Sequence, residues 1–236
     1  MRRPGSEAPG SDQPTALLTD VDAWSPALPA LEAAPEPHAL YNLTKRALDI
    51  VLSSLFLLLA TPLIVAAGAI VVLTAHGSPF FVQTRIGRLG REFPMLKLRT
   101  MRSGAPPPVV PADEHGAVFV AKEEDDARVT AAGRFLRRTS IDELPQLLNV
   151  IAGQMSLVGP RPSLPVEVVR YPVSWRRRLT VAPGLTGLWQ VSGRSEVPGR
   201  RRTAMDRYYI RRRSLAFDCA LLLRTVAATL SMRGAW

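Results

Sequence analysis

From Ile50 to Ala75 the chain runs 26 residues without a charge, and no other stretch restricts its fold as much. A run of that length is enough to cross the hydrocarbon of a bilayer as a helix. Two features oppose a plain span. Pro62 stands near the middle, where it removes one helical hydrogen bond and crowds the preceding turn. Both flanks are also basic, with Lys45 and Arg46 before the run and Arg85, Arg88 and Arg91 after it. Positive charge marks the cytoplasmic side of a membrane segment, and no second strongly apolar run returns the chain. Two readings follow. Either the helix enters the membrane, breaks at Thr61-Pro62 and leaves on the side it entered, or it is a single anchor with a proline kink.

The chain has 236 residues and a formal charge of +10. The first 44 residues oppose that charge, setting Arg2 and Arg3 against Glu7, Asp12, Asp20, Asp22, Glu32 and Glu36. Seven prolines fall among residues 1–40, with no sustained period, so a disordered tail is expected there. The division expected is a tail over 1–40, a membrane helix over 41–78 and a globular domain over 79–236. Apart from Lys45, Lys97 and Lys122, the 30 basic residues are arginines. A basic body implies an anionic partner: nucleic acid, a phospholipid surface or phosphorylated small molecules. The single cysteine, Cys219, excludes an internal disulfide framework and fits a reducing compartment. Its apolar surroundings argue against a nucleophilic thiol. No apolar core follows the first ten residues, so no secretory signal is expected.

Beyond the apolar run, PFFVQTRIGRLGREFPMLKLRTMR alternates apolar with polar residues and reads as a hairpin around Gly87 and Gly90. Lys97 stands alone between apolar neighbours, either on a solvated strand face or facing an anion. Residues 103–126 form a Pro-rich, then acidic loop. His115 reads as a surface residue, and Glu123 to Asp126 read as a solvated acidic run rather than a metal site. The next segment is helical in character, punctuated by Gly133 and by Thr139-Ser140. Leu144, Leu147, Leu148 and Ile151 supply an apolar face. A turn at LVGPRPSLP, a segment over 166–181 that looks helical and basic, a Gly-rich loop or hairpin at APGLTGLWQVSGR and one or two helices over 201–232 complete the chain. The fold class expected is α+β, mostly helical.

The stretch RRTSIDELPQ carries the chemistry. Ser140 and Glu143 match a capping box, and Pro145 suits the first turn of a helix starting at Asp142. Acids at a helix start also serve the dipole alone. Here, however, Arg137, Arg138 and Arg161 make the same place a phosphate site. A carboxylate at a phosphate site repels its ligand unless it attacks that ligand or holds a metal. Adjacent acids point in different directions on a helix, so Asp142 and Glu143 would divide those jobs.

These residues resemble the bacterial sugar transferases, the monotopic polyprenyl-phosphate glycosyl-1-phosphate transferases that begin exopolysaccharide and O-antigen assembly. The resemblance runs from about Lys45 to Trp236. It rests on KRALD, PFFVQTRIGRLGREFPMLKLRTM, DARVTAAGRFLRRTSIDELPQLLNVIAGQMSLVGPRP, PGLTGLWQVSGR and DRYYIRRRSLAFD. It implies a re-entrant helix broken at Pro62, with Thr61 in place of the serine common in relatives. It implies Asp142 as nucleophile, Glu143 as Mg²⁺ ligand, and Lys97, Arg137 and Arg161 as phosphate-binding residues. The activity implied is transfer of a sugar 1-phosphate from a UDP-sugar, a hexose such as glucose or galactose, to undecaprenyl phosphate with release of UMP. The place implied is the cytoplasmic face of the inner membrane, in contact with membrane lipid, without nucleic acid and with a homodimer allowed. The rival reading is a membrane-anchored basic protein for anionic lipid or nucleic acid, motivated by SWRRRL and GRRRTAMDRYYIRRR.

Overall fold

The structure is a computed structural model, and it describes residues 39–75, 77–104 and 126–231. Residues 1–38 of the expected tail and 105–125 of the Pro-rich acidic loop, His115 among them, lie outside those residues, whereas 39 and 40 of the expected tail begin a helix.

The apolar run forms most of one helix, α1 (Ala39–Ala75), of 37 residues. At 1.5 Å per residue it is about 55 Å long, well beyond a hydrocarbon core of about 30 Å. The break expected at Thr61-Pro62 is absent as an interruption, because the helix is continuous through Pro62. Pro62 cannot donate to the carbonyl four residues back, but Thr61 Oγ1 donates to the neighbouring Leu57 carbonyl at 2.7 Å. Hydroxyl back-bonding of this kind lets apolar helices tolerate proline.

Both halves of α1 lie against the same globular domain. Near its start, Arg46 donates to the carbonyls of Val150 and Ile151 at 2.6 and 2.7 Å. One turn on, the Asp49 carboxylate accepts from the Leu157 amide at 3.0 Å. Near its end, Ala67, Val71 and Ala75 pack with Leu98 and Leu136. The outward face is left apolar, with Leu58, Leu59, Val65 and Leu73 exposed.

The hairpin forms as expected. β1 (Phe80–Ile86) and β2 (Glu92–Leu98) pair antiparallel from Phe80 opposite Leu98 to Ile86 opposite Glu92. Helix α2 (Ala131–Thr139) follows, capped by Thr130 Oγ1, which accepts from the Gly133 amide at 2.9 Å. Gly133 does not punctuate this helix. It lies inside α2, where a Cβ would collide with the Thr100 carbonyl, so glycine permits the close approach to the end of β2. A 3-10 turn, Ile141–Gln146, leads into α3 (Leu147–Ile151).

β3 (Ser156–Val158) and β4 (Gly184–Thr186) pair in parallel, so the Gly-rich segment is a strand and a turn rather than a hairpin. The basic segment between them is helical as expected, divided into α4 (Pro165–Val169), α5 (Val173–Arg176) and a 3-10 turn. Pro165 and Pro172 begin α4 and precede α5, the positions where proline serves helix starts. The chain closes with α6 (Gly199–Arg212) and α7 (Leu215–Ser231).

The main core joins Phe93 and Met95 of β2, Leu147 and Val150 of α3, Leu157 and Val158 of β3, and Leu221 of α7. Asn149 ties β2 to α3: its amide donates to the Pro94 carbonyl at 2.8 Å and its oxygen accepts from the Leu96 amide at 3.0 Å. The mostly helical α+β class holds.

Candidate active site

The acid pair sits in the 3-10 turn ahead of α3. Ser140 ends α2 in the left-handed region at φ 58°, and its side chain caps nothing, so the expected capping box is not formed. The Glu143 amide instead donates to the Ser140 carbonyl at 3.2 Å. Asp142 is buried. Glu143 is gripped by Arg161, whose guanidinium donates to its two carboxylate oxygens at 2.7 and 3.3 Å. A forked pair of this kind fixes direction as well as distance. The Glu143 charge raises the Arg161 pKa further above its ordinary value, against the effect of burial.

Arg137 reaches the same place from the last turn of α2 and donates from Nε to Thr100 Oγ1 at 3.0 Å. Burial lowers its pKa, and the nearby Asp142 charge opposes that. Around Arg161 a buried network holds the Gly159–Ser163 turn. Arg178 donates to the Arg161 carbonyl at 3.2 Å and to Tyr171 Oη at 2.8 Å, and Tyr171 donates to Ser163 Oγ at 2.9 Å. Arg178 is paired in turn with Asp206 at 2.8 Å. Burial pushes the Asp206 carboxyl up to about 6, against the attraction of Arg178 and Arg202.

A cavity of about 770 Å³ opens here. Asp142, Glu143, Arg137, Arg161 and Arg194 line its polar end. Phe56 of α1 with Leu222, Leu223, Val226 and Leu230 of α7 line the rest. The cavity therefore suits a ligand with an anionic head and an apolar body.

Of the expected site residues, the structure brings Asp142, Glu143, Arg137 and Arg161 together. Lys97 does not line this cavity; its ammonium stands 5.3 Å from the Phe81 ring centroid, across the hairpin. Thr61 and Pro62 also lie outside the cavity lining. Arg194, Trp189 and Gln190 line it and were missed by sequence reasoning. The Gly-rich setting of LWQVSGR was the available signal, since such loops bring backbone close to ligands. Cys219 is exposed and lines the apolar part. Asp126 is not solvated as the acidic run suggested: it is buried and paired with Arg128 at 2.6 Å, and hydrogen bonding from Arg128 lowers its pKa.

Among the described residues no group of three or more His, Cys, Asp or Glu could hold a metal. The donor set is two adjacent carboxylates. That is too few for a closed protein cage, yet it fits Mg²⁺, which is commonly held by one or two carboxylates together with substrate phosphates and water.

Residues 40–232 match the family model described as bacterial sugar transferase. The chain is 38% identical over 201 residues to the "Exopolysaccharide production protein ExoY" of Sinorhizobium fredii, covering 83% of this chain and 89% of that protein. It is 40% identical over 210 residues to the "UDP-glucose:undecaprenyl-phosphate glucose-1-phosphate transferase" of Caulobacter vibrioides, covering 86% and 75%. It is also 40% identical over 199 residues to the "Undecaprenyl-phosphate galactose phosphotransferase" of Salmonella typhimurium, covering 81% of this chain and 41% of that longer protein. An acid pair among arginines, at the polar end of an otherwise apolar cavity, thus lies in a chain that matches this family over nearly all its described length, and the chain belongs to the bacterial sugar transferase family as an enzyme of that class.

Proposed function

We propose that this enzyme transfers a hexose 1-phosphate from a UDP-sugar to undecaprenyl phosphate, releasing UMP, through a phospho-sugar carried on Asp142. The observation that carries the reading is the cavity, which joins a buried carboxylate and three arginines to apolar walls from α1 and α7. The names of the relatives supply the two substrates and favour glucose or galactose.

In the first step an Asp142 oxygen attacks the sugar-bearing phosphorus. The bond to the uridylyl phosphate oxygen breaks, and its electron pair leaves with UMP. In the second step a phosphate oxygen of the lipid attacks the same phosphorus and displaces the carboxylate. The product is the lipid diphosphate sugar, and Asp142 is regenerated. Arg137 and Arg161 neutralise the diphosphate, and positioning with electrostatics accounts for most phosphoryl-transfer catalysis. Exclusion of water by the apolar walls strengthens both arginines. Glu143 would hold Mg²⁺, and Arg161 would then be left to bind the phosphates. The ion would supply charge neutralisation there. Lys97 remains a phosphate-binding candidate only if its side chain leaves Phe81.

The membrane reading rests on α1. Its two halves dock on one domain, which supports a reading with Lys45 and Arg88 on the same side of the bilayer and the exposed apolar face toward lipid. That side is cytoplasmic, because both flanks are basic. The parts proposed are the membrane helix over 41–78 and the catalytic domain over 79–236.

The test is a single turnover. Enzyme given UDP-glucose or UDP-galactose without lipid should release about one UMP per active site and add one hexose phosphate to the peptide containing Asp142. Asp142→Asn should lose at least about three orders of magnitude in rate. UMP release that requires lipid and leaves no adduct would mean direct transfer and would demote Asp142.

A further inference from the structure

Ten buried side-chain nitrogen and oxygen atoms lack a hydrogen-bond partner among the described residues, and three of them cluster. They are Trp189 Nε1, Gln190 Oε1 and Arg194 Nη1. All three belong to the turn after β4, and their residues alone among the ten line the cavity. A buried polar group without a partner costs about 1–3 kcal/mol. Three within six residues at a cavity wall call for a partner beyond the described residues.

The rest of each side chain is anchored. Arg202 stands over the Trp189 ring at 4.8 Å, Gln190 Nε2 donates to the Leu185 carbonyl at 3.0 Å, and Arg194 Nη2 donates to Ser140 Oγ at 3.1 Å. The backbone is strained to the same end. Arg194 has φ 51° after Gly193 at φ 145°, and its partner Ser140 has φ 58°. Two left-handed non-glycine residues therefore meet beside the acid pair. Strain of this kind persists where surrounding structure holds it for function.

We propose that the turn Trp189–Arg194 is the recognition surface for the donor nucleotide sugar. Arg194 takes a phosphate oxygen. Gln190 Oε1 accepts from, and Trp189 Nε1 donates to, a neutral group that offers a donor and an acceptor side by side. The imide edge of uracil and a pair of hexose hydroxyls both have that chemistry. The inference rests on the proposed reaction and adds to it the residues that choose the donor.

The experiment uses the full chain in detergent, with UMP and glucose 1-phosphate as separate probes. Binding is read by calorimetry and by ligand-induced thermal stabilisation. Arg194→Asn removes the cation but keeps a residue that tolerates positive φ. Trp189→Phe removes the N–H and keeps an aromatic ring, and Gln190→Met removes the acceptor at similar length. Each should weaken binding of one probe by about tenfold, the loss of one hydrogen bond in a desolvated site. The ligand-free melting temperature of Arg194→Asn should not fall, because a strained residue with a partnerless nitrogen is gone. Loss confined to UMP assigns the turn to the base, and loss confined to glucose 1-phosphate assigns it to the sugar. Unchanged binding of both probes by folded variants overturns the proposal, as does a lowered melting temperature with binding intact. UMP release by the wild type from UDP-glucose or UDP-galactose with undecaprenyl phosphate is measured alongside. If the wild type releases UMP and the variants bind normally, only this inference fails; if the wild type releases none, the reaction itself fails.

Discussion

Arg161 is engaged through both its side chain and its backbone. It holds both oxygens of Glu143 at 2.7 and 3.3 Å, and its carbonyl is held by Arg178 at 3.2 Å. Lysine carries the charge but lacks the fork. Arg161→Lys should therefore lower UMP release by about tenfold to a hundredfold, the cost of about 1.4–3 kcal/mol of charge-assisted bonding. Kinetics against UDP-sugar would check it, and a rate within twofold of wild type would show that the fork is idle. Glu143 invites the metal test. Chelation by EDTA should abolish turnover and added Mg²⁺ should restore it, whereas full turnover in chelator would remove the ion from the reaction. Behind Arg161, Asp206 is buried against Arg178. Asp206→Ala would strand a buried guanidinium, and breaking such a pair costs about 3–5 kcal/mol. A large fall in melting temperature is expected, with Asp206→Asn falling less because it keeps an acceptor for Arg178.

At the scale of elements, the sequence made the strongest patterns readable and concealed those set by packing. The hairpin was legible because alternation and two glycines need no tertiary knowledge. The acid pair was legible because carboxylates at an arginine-rich phosphate site repel the phosphate unless they attack it or hold a metal. The run over 166–181 read as helical, which it is, and only its division around Pro172 went unread, whereas Gly133 read as a breaker because its proximity to Thr100 is a tertiary fact. Arg194 had only its Gly-rich setting to mark it, since only the folded chain brings it to Ser140, 54 residues away. The Pro62 break was expected from hydrogen-bond loss, and the continuous helix shows that one lost bond is too little to end α1. The same-side arrangement of its flanks stays a proposal, supported by the docking of both halves of α1 on one domain. In a Cys219→Ser background, Leu43→Cys and Arg91→Cys should both react with an impermeant maleimide only after the inner membrane is opened. Labelling of one of them from outside would make α1 a true span.

For the whole molecule, the cavity is where three layers meet: α1, the domain that carries the acid pair, and α7. No layer suffices alone. The domain supplies charge without apolar length, and the helices supply apolar length without charge. They are pinned where they meet, by Lys45 on Asp218 at 2.8 Å and by the hydroxyls of Thr186 and Thr225 at 2.8 Å. Leu223, Val226 and Leu230 of α7 are left exposed, and burial of a leucine-sized side chain is worth about 1.5–3 kcal/mol. That gain suits a prenyl chain lying along α7 while its phosphate reaches Asp142. Cys219 makes the idea measurable without engineering, since it is the only cysteine of the chain, is exposed, and lines the apolar part of the cavity. Undecaprenyl phosphate at saturating concentration should slow its alkylation by N-ethylmaleimide at least about fivefold, the occupancy effect expected when four-fifths of sites are filled. UMP, which has no apolar chain, should protect it far less. Decanol in the same micelles controls for a general change of apolar surroundings. An alkylation rate unchanged by the lipid, in protein that turns over UDP-sugar with that lipid, would place the prenyl chain elsewhere and leave α7 facing only the membrane.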